Sequence, residues 1–107
     1  EAAAAVTTFN TAGSSNDNIL ILNTGNYFAD AAAVLSAFSS ETRTVGSGLS
    51  TSATHVAVAY QASSGGNIRI ADGTLAAAGG FTAVSDLAIL SGVTAITSLD
   101  AANFVLN

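Results

Sequence analysis

The sequence predicts a β-rich α+β domain, with about six short strands in a sheet or small sandwich and one helix near residues 30–39. Short apolar or alternating segments recur along the chain, and turns rich in glycine, serine and asparagine separate them. Only one segment has the apolar spacing of an amphipathic helix. With 107 residues, the chain is long enough to bury one core, so residues 1–107 are expected to form a single domain.

Two strands are predicted before the helix. Residues 6–9 alternate weakly and predict a short strand or an extended arm, and residues 1–10 are expected to be an extended arm or a linker. Residues 19–22 are an apolar run of four with asparagine on each side, which favours a strand that is buried on both faces. The Thr-Gly-Asn segment that follows breaks the chain.

The helix is predicted over residues 30–39. Asp30 can accept hydrogen bonds from the free N–H groups of the first turn, and its charge suits the positive end of the helix dipole. One apolar stripe follows the i, i+3, i+4, i+7 spacing and consists of Ala31, Val34, Leu35 and Phe38.

The second half of the chain is predicted to contain a hairpin followed by shorter strands. Residues 55–61 and residues 67–71 both alternate in polarity, and a Gly-Gly segment lies between them. Asp72 and Gly73 are expected to turn the chain after the hairpin. Three further strands are predicted over residues 83–90, 93–96 and 103–106.

The low charge of the chain restricts its partners and its location. Charged residues make up 8% of the sequence, against about 25% in an ordinary soluble domain. Arg43 and Arg69 are the only Lys or Arg residues, and the net charge of −5 argues against nucleic acid and anionic membranes as partners. A surface of Ser, Thr, Asn, Gly and Ala suits a secreted, extracellular or cell-surface protein, or a subunit that copies of itself cover.

The ends of the chain and its missing residue types lead to further expectations. Cysteine and methionine are absent and the chain begins with Glu1, so we expect a processed product or a fragment without disulfides. Residues 1–6 fit either the remainder of a cleaved segment or an alanine-rich linker. The longest low-polarity run, residues 29–38, is shorter than the ~20 residues of a membrane-spanning helix, so no membrane insertion is expected.

No group of residues supports catalysis, and a non-enzymatic protein is expected. His55 is the only histidine, and no serine lies in a G-x-S-x-G elbow. The carboxylates are spread along the chain without i, i+2 or i+4 pairs. A small hydrolase or carbohydrate-binding domain is a further alternative, with Tyr27 and Tyr60 as its aromatic candidates.

Two aspartates are candidate calcium ligands. Asp17 lies between two asparagines, and Asp72 is expected to lie near backbone carbonyls in a turn. Calcium takes six to eight oxygen ligands, and each group of residues offers few. The alternative is that both aspartates only form Asx turns, so the expected cofactor is none or Ca²⁺.

Several short motifs occur in a fixed order along the chain. They are Val6-x-x-Phe9-Asn10, residues 16–22, the alanine-rich helix, residues 67–73, residues 86–93, and Leu99-Asp100-Ala101-Ala102-Asn103-Phe104-Val105-Leu106. This series resembles the C-terminal domains of RTX-type proteins, which are bacterial proteins exported by type I secretion, including many cyanobacterial surface proteins. The resemblance implies a calcium-dependent β-rich domain whose extreme C-terminus the export machinery reads. The chain departs from that family in lacking the G-G-x-G-x-D repeat and in carrying Thr8 where an acid is expected.

Two functions are therefore expected. The first is a non-catalytic extracellular structural module of a type I-secreted bacterial surface protein, with Phe104, Val105 and Leu106 as secretion or assembly residues in a tail over residues 85–107. The alternative is a self-assembling subunit of an extracellular filament or surface layer, in which the N-terminal arm or the C-terminal strand adds to a neighbour's open sheet edge. The expected partners are the type I export machinery and copies of the chain or upstream domains.

Overall fold

The computed structural model describes residues 19–22, 27–45, 49–96 and 99. Their secondary structure consists of β1 (Ile19–Ile21), α1 (Ala31–Phe38), β2 (His55–Gln61), β3 (Ile68–Leu75) and β4 (Phe81–Leu90). This arrangement confirms the β-rich α+β class with one helix. The prediction of six strands is wrong for the described residues, which contain four. Residues 93–96 do not form a strand, and the predicted strands over residues 6–9 and 103–106 lie outside the described residues.

The four strands form a single mixed sheet in the order β1-β2-β3-β4. The β1 strand pairs parallel with β2, and α1 makes the connection between them. Both later pairs, β2 with β3 and β3 with β4, are antiparallel. The parallel pair needs a long crossover because both strands run in the same direction, whereas the antiparallel pairs are joined by short turns.

The helix begins and ends close to where the sequence predicts. Asp30 has extended backbone angles, and its Oδ1 accepts a hydrogen bond from the Ala33 N–H at 2.9 Å, so it caps the first turn. Val34 and Phe38 are buried. The Phe38 ring meets the Phe81 ring edge-on, with centroids 6.0 Å apart, and this contact attaches the helix to the start of β4.

The sheet separates two apolar clusters. On the face that α1 covers, the cluster contains Leu20, Leu22, Val34, Phe38, Leu49, Val56, Val58, Tyr60, Ala71, Leu75 and Phe81. On the opposite face it contains Ile19, Ile21, Ala59, Ile68, Ile96 and Leu99. Strand β1 contributes to both clusters, which confirms the prediction that this run is buried on both faces.

The turn predicted at Asp72 and Gly73 is wrong, because β3 continues through both residues to Leu75. Gly73 is required there for packing, since a Cβ atom would overlap the ring of Phe81. The chain turns later, where the Ala76 N–H donates to the Gly80 carbonyl at 3.0 Å and the Gly79 N–H donates to the Ala76 carbonyl at 3.1 Å.

Arg43 is buried between this turn and a second loop, with only 4% of the residue exposed. Its Nε donates to the Gly79 carbonyl at 2.9 Å and its Nη1 donates to the Ala53 carbonyl at 2.9 Å. It also donates to the carbonyl oxygens of Ser50 and Ala76. Burial lowers the pKa of the guanidinium from its usual value. Four backbone carbonyls therefore accept hydrogen bonds from the guanidinium, and its described contacts include no carboxylate.

Candidate functional site: an open sheet edge

Strand β4 forms one edge of the sheet. It pairs with β3 on one side, and no described strand pairs with its other side. It is also the longest of the described strands, with ten residues, of which seven are exposed. An edge strand of this kind presents unpaired main-chain N–H and C=O groups, which are the groups that another strand needs for pairing.

The exposed residues of β4 include two large apolar side chains. Leu87 is 67% exposed and Ile89 is 56% exposed. Asp86 is the only charged residue of the strand. Natural edge strands are commonly protected by lysine or proline, and this chain contains neither. The edge therefore combines a side on which no described strand pairs with large exposed apolar side chains.

Two irregularities interrupt the pairing of β4 with β3. The register shifts between Ile70 and Ala71 and again between Thr74 and Leu75. At the first shift, Ile70 is opposite Ala88 and Ala71 is opposite Asp86, so Leu87 has no partner on β3. A bulge bends an edge and increases its twist, which discourages unspecific pairing.

A polar contact connects the edge with the interior of the sheet. The Tyr60 hydroxyl donates to Asp86 Oδ1 at 2.7 Å. Burial, followed by the hydrogen bond to Asp86 and its charge, raises the pKa of Tyr60 to about 12, although the nearby Arg69 acts in the opposite direction. The hydroxyl thus stays protonated and acts as a donor, which is unsuitable for a general base near neutral pH.

A second polar pair lies on strands β2 and β3. His55 Nδ1 is 3.2 Å from both carboxylate oxygens of Asp72. Both side chains are well exposed, at 61% and 39%. A hydrolytic triad would also need a nucleophile in reach of the imidazole, and the described contacts of this pair include none.

The predicted site residues have different outcomes. Asp72 lies within a strand beside His55 and not in a loop of carbonyls, so the expected turn environment for calcium is absent at this residue. Among residues 19–22, 27–45, 49–96 and 99, no group of three His, Cys, Asp or Glu side chains could hold a metal ion. Asp17, Phe104, Val105 and Leu106 lie outside the described residues.

The two tyrosines do not form a joint binding platform. Tyr60 is fully buried, whereas Tyr27 is 38% exposed. Exposed aromatic rings are the usual means of stacking on a sugar.

Neither the edge position of β4 nor the burial of Arg43 was predicted from the sequence. The irregular polarity of residues 82–89 was the available signal for an edge, because a strand with one buried face alternates more regularly.

Comparisons of the chain with models of known protein families, with curated proteins and with solved structures found no match. In the described part of the chain, no helix is long and apolar enough to cross a membrane.

Proposed function

We propose that this protein is a non-catalytic extracellular structural subunit that assembles with copies of itself by strand pairing at the open edge of β4. The observation that carries this proposal is the ten-residue edge strand with Leu87 and Ile89 exposed and with a single charge. This proposal builds on the expected role of a self-assembling subunit and names the edge through which two copies pair.

The apolar side chains supply a driving force for assembly. Leu87 and Ile89 are more than half exposed, at 67% and 56%. Full burial of a Leu or Ile side chain is worth about 1.5–3 kcal/mol, so covering the exposed parts contributes about 1–2 kcal/mol for each residue. New main-chain hydrogen bonds along the paired edges add direction to this attraction.

The charge of the chain also supports assembly outside the cell. Strand β4 carries no Lys or Arg, Arg43 is buried, and Arg69 lies on β3. The sheet edge therefore offers no basic group to an acidic partner. A chain with 8% charged residues imposes a small electrostatic cost when copies approach each other.

A double substitution on β4 tests the proposal. We expect Leu87→Lys with Ile89→Lys to remain monomeric at concentrations where the unmodified protein associates, because two ammonium groups would be desolvated in the paired edge. The measurement is sedimentation velocity over a concentration series, with and without calcium, supported by electron microscopy. Circular dichroism checks that the sheet is retained.

The matched control is Ala32→Lys with Val45→Lys, which adds the same charge at exposed positions outside β4. We expect this control to associate like the unmodified protein. A strictly monomeric unmodified protein at high concentration, with and without calcium, would refute the proposal.

The wider role that we propose is that of a module in a type I-secreted bacterial surface protein. The ordered motifs that end in Asn103-Phe104-Val105-Leu106 support it. Export and assembly are compatible, because an export signal is read before folding and the sheet edge becomes available afterwards.

A further inference from the structure

We infer that the partner at the β4 edge is the same edge of a second copy, paired antiparallel about a two-fold axis, so that assembly through this edge stops at a dimer. The inference names the partner for the proposed function and rests on that function. It follows that growth into a filament would need a second surface besides the β4 edge.

The two ends of the sheet differ in their accessibility. Leu20 and Ile21 of β1 are each 0% exposed, with their main-chain atoms included. In β4, seven of ten residues are exposed. A strand can add only where the main-chain groups of the edge can be reached. The described part of the chain therefore has one sheet edge that is open to a partner.

A single open edge limits what strand pairing can build. Head-to-tail growth uses two different surfaces of each copy, and here the surface at β1 is covered. Pairing of β4 with β4 of a second copy uses the same surface twice and leaves neither edge open. The product is a continuous sheet made of two four-stranded sheets.

Asp86 restricts where the two-fold axis lies along β4. It is the only charge on the strand. Strands rise about 3.4 Å per residue, so an axis one residue from Asp86 would leave the two carboxylates about 7 Å apart along the strand direction. That distance is within the screening length of about 10 Å at 0.1 M salt.

An axis at Ala88 or Ile89 avoids this repulsion. It separates the two Asp86 residues by four or six residues along the strand direction, about 14–20 Å, which exceeds the screening length. The same axis brings the exposed Leu87 and Ile89 side chains of both copies close together. The apolar half of β4 is therefore the central part of the pairing.

Cysteine cross-linking tests this arrangement directly, because the chain has no cysteine of its own. We expect Ile89→Cys to form a covalent dimer on mild oxidation, with Ala88→Cys as a second variant that leaves Ile89 in place. The control is Ala83→Cys, which is exposed on the same strand. With the axis at Ala88 or Ile89, the two cysteines at position 83 would lie more than about 30 Å apart along the strand direction.

The expected result is at least a fivefold higher yield of covalent dimer for Ile89→Cys or Ala88→Cys than for Ala83→Cys. The unmodified 10.4 kDa chain is expected to reach a plateau at twice its mass in sedimentation equilibrium. Equal yields at all three positions would overturn the inference but leave assembly through β4 intact. The same holds for assemblies larger than a dimer, if Leu87→Lys with Ile89→Lys abolishes their formation. A monomeric unmodified protein would overturn both.

Discussion

Arg43 shows how a single residue can connect segments that are far apart in the sequence. Its guanidinium donates to carbonyls of the loop that contains Ser50 and Ala53 and of the β3–β4 turn that contains Ala76 and Gly79. That turn includes Ala78, which has a positive φ of 52°. The fork geometry of arginine suits several fixed acceptors at once, so we interpret Arg43 as the residue that fixes the turn leading into β4.

We expect Arg43→Met to lower the free energy of unfolding by about 3 kcal/mol, because buried carbonyl oxygens would lose their donors. Arg43→Lys should recover part of the loss, since an ammonium has three donors but cannot copy the fork. Urea unfolding followed by circular dichroism measures both. Arg69→Met, at the other arginine, is the control and should cost less than about 1 kcal/mol. A loss below about 0.5 kcal/mol for Arg43→Met would contradict this role.

The sequence contained little information about this residue. Residues 41–54 are polar and carry two glycines, a composition that is typical of a loop and gives no reason for the burial of Arg43. All four described acceptors of its guanidinium are main-chain carbonyls, which every residue type carries, so side-chain identities do not reveal them. By contrast, Asp30 as the helix cap was predicted, because capping depends on residues only three positions apart.

At the level of the elements, local patterns were sufficient for α1, β1 and the β2–β3 hairpin. They were insufficient for the end of β3, where Asp72-Gly73 has the composition of a turn but continues the strand. Gly73 lies against the Phe81 ring, a contact with the next strand that no local pattern contains. The edge position of β4 could not be predicted for the same reason, because it depends on the strand order.

The hydrogen bond between Tyr60 and Asp86 connects β2 with β4 across β3. It also makes the free energy of unfolding fall as the pH rises in the alkaline range. The pKa of Tyr60 is raised from 10.0 to about 12 in the folded protein. A raised pKa favours the folded state fully below pH 10, and this contribution is lost as pH rises towards about 12. The expected slope is a loss of about 1.4 kcal/mol per pH unit in that range.

Tyr60→Phe keeps the ring and removes the hydroxyl, so it should lose about 1 kcal/mol at neutral pH and lack this alkaline slope. The difference between the two unfolding curves isolates Tyr60 from other groups that titrate at high pH. Tyr27→Phe is the control, and it should retain the slope. Parallel curves for the unmodified protein and Tyr60→Phe between pH 10 and 12 would contradict the assignment.

For the whole molecule, the structure shows how the first part of the C-terminal tail packs. The strand predicted over residues 83–90 overlaps the secretion-type tail expected over residues 85–107, and Ser85 to Leu90 do form the second half of β4. They pair with β3 and supply Asp86 to Tyr60. The first part of the tail therefore belongs to the sheet, and a test of export that deletes the whole tail also removes half of a strand.

This overlap leads to a prediction that separates folding from export. Deletion of residues 85–107 should abolish cooperative unfolding, because Ile68 and Tyr60 would lose partners on β4. Replacement of Phe104, Val105 and Leu106 by serine leaves β4 intact and should reduce export at least tenfold if these residues carry the signal. The measurement is the amount of secreted protein from a bacterial host with a type I exporter, together with circular dichroism of the purified variants. Normal export of the serine variant would refute the role of these three residues in secretion, and assembly through β4 would be unaffected because it depends on a different part of the chain.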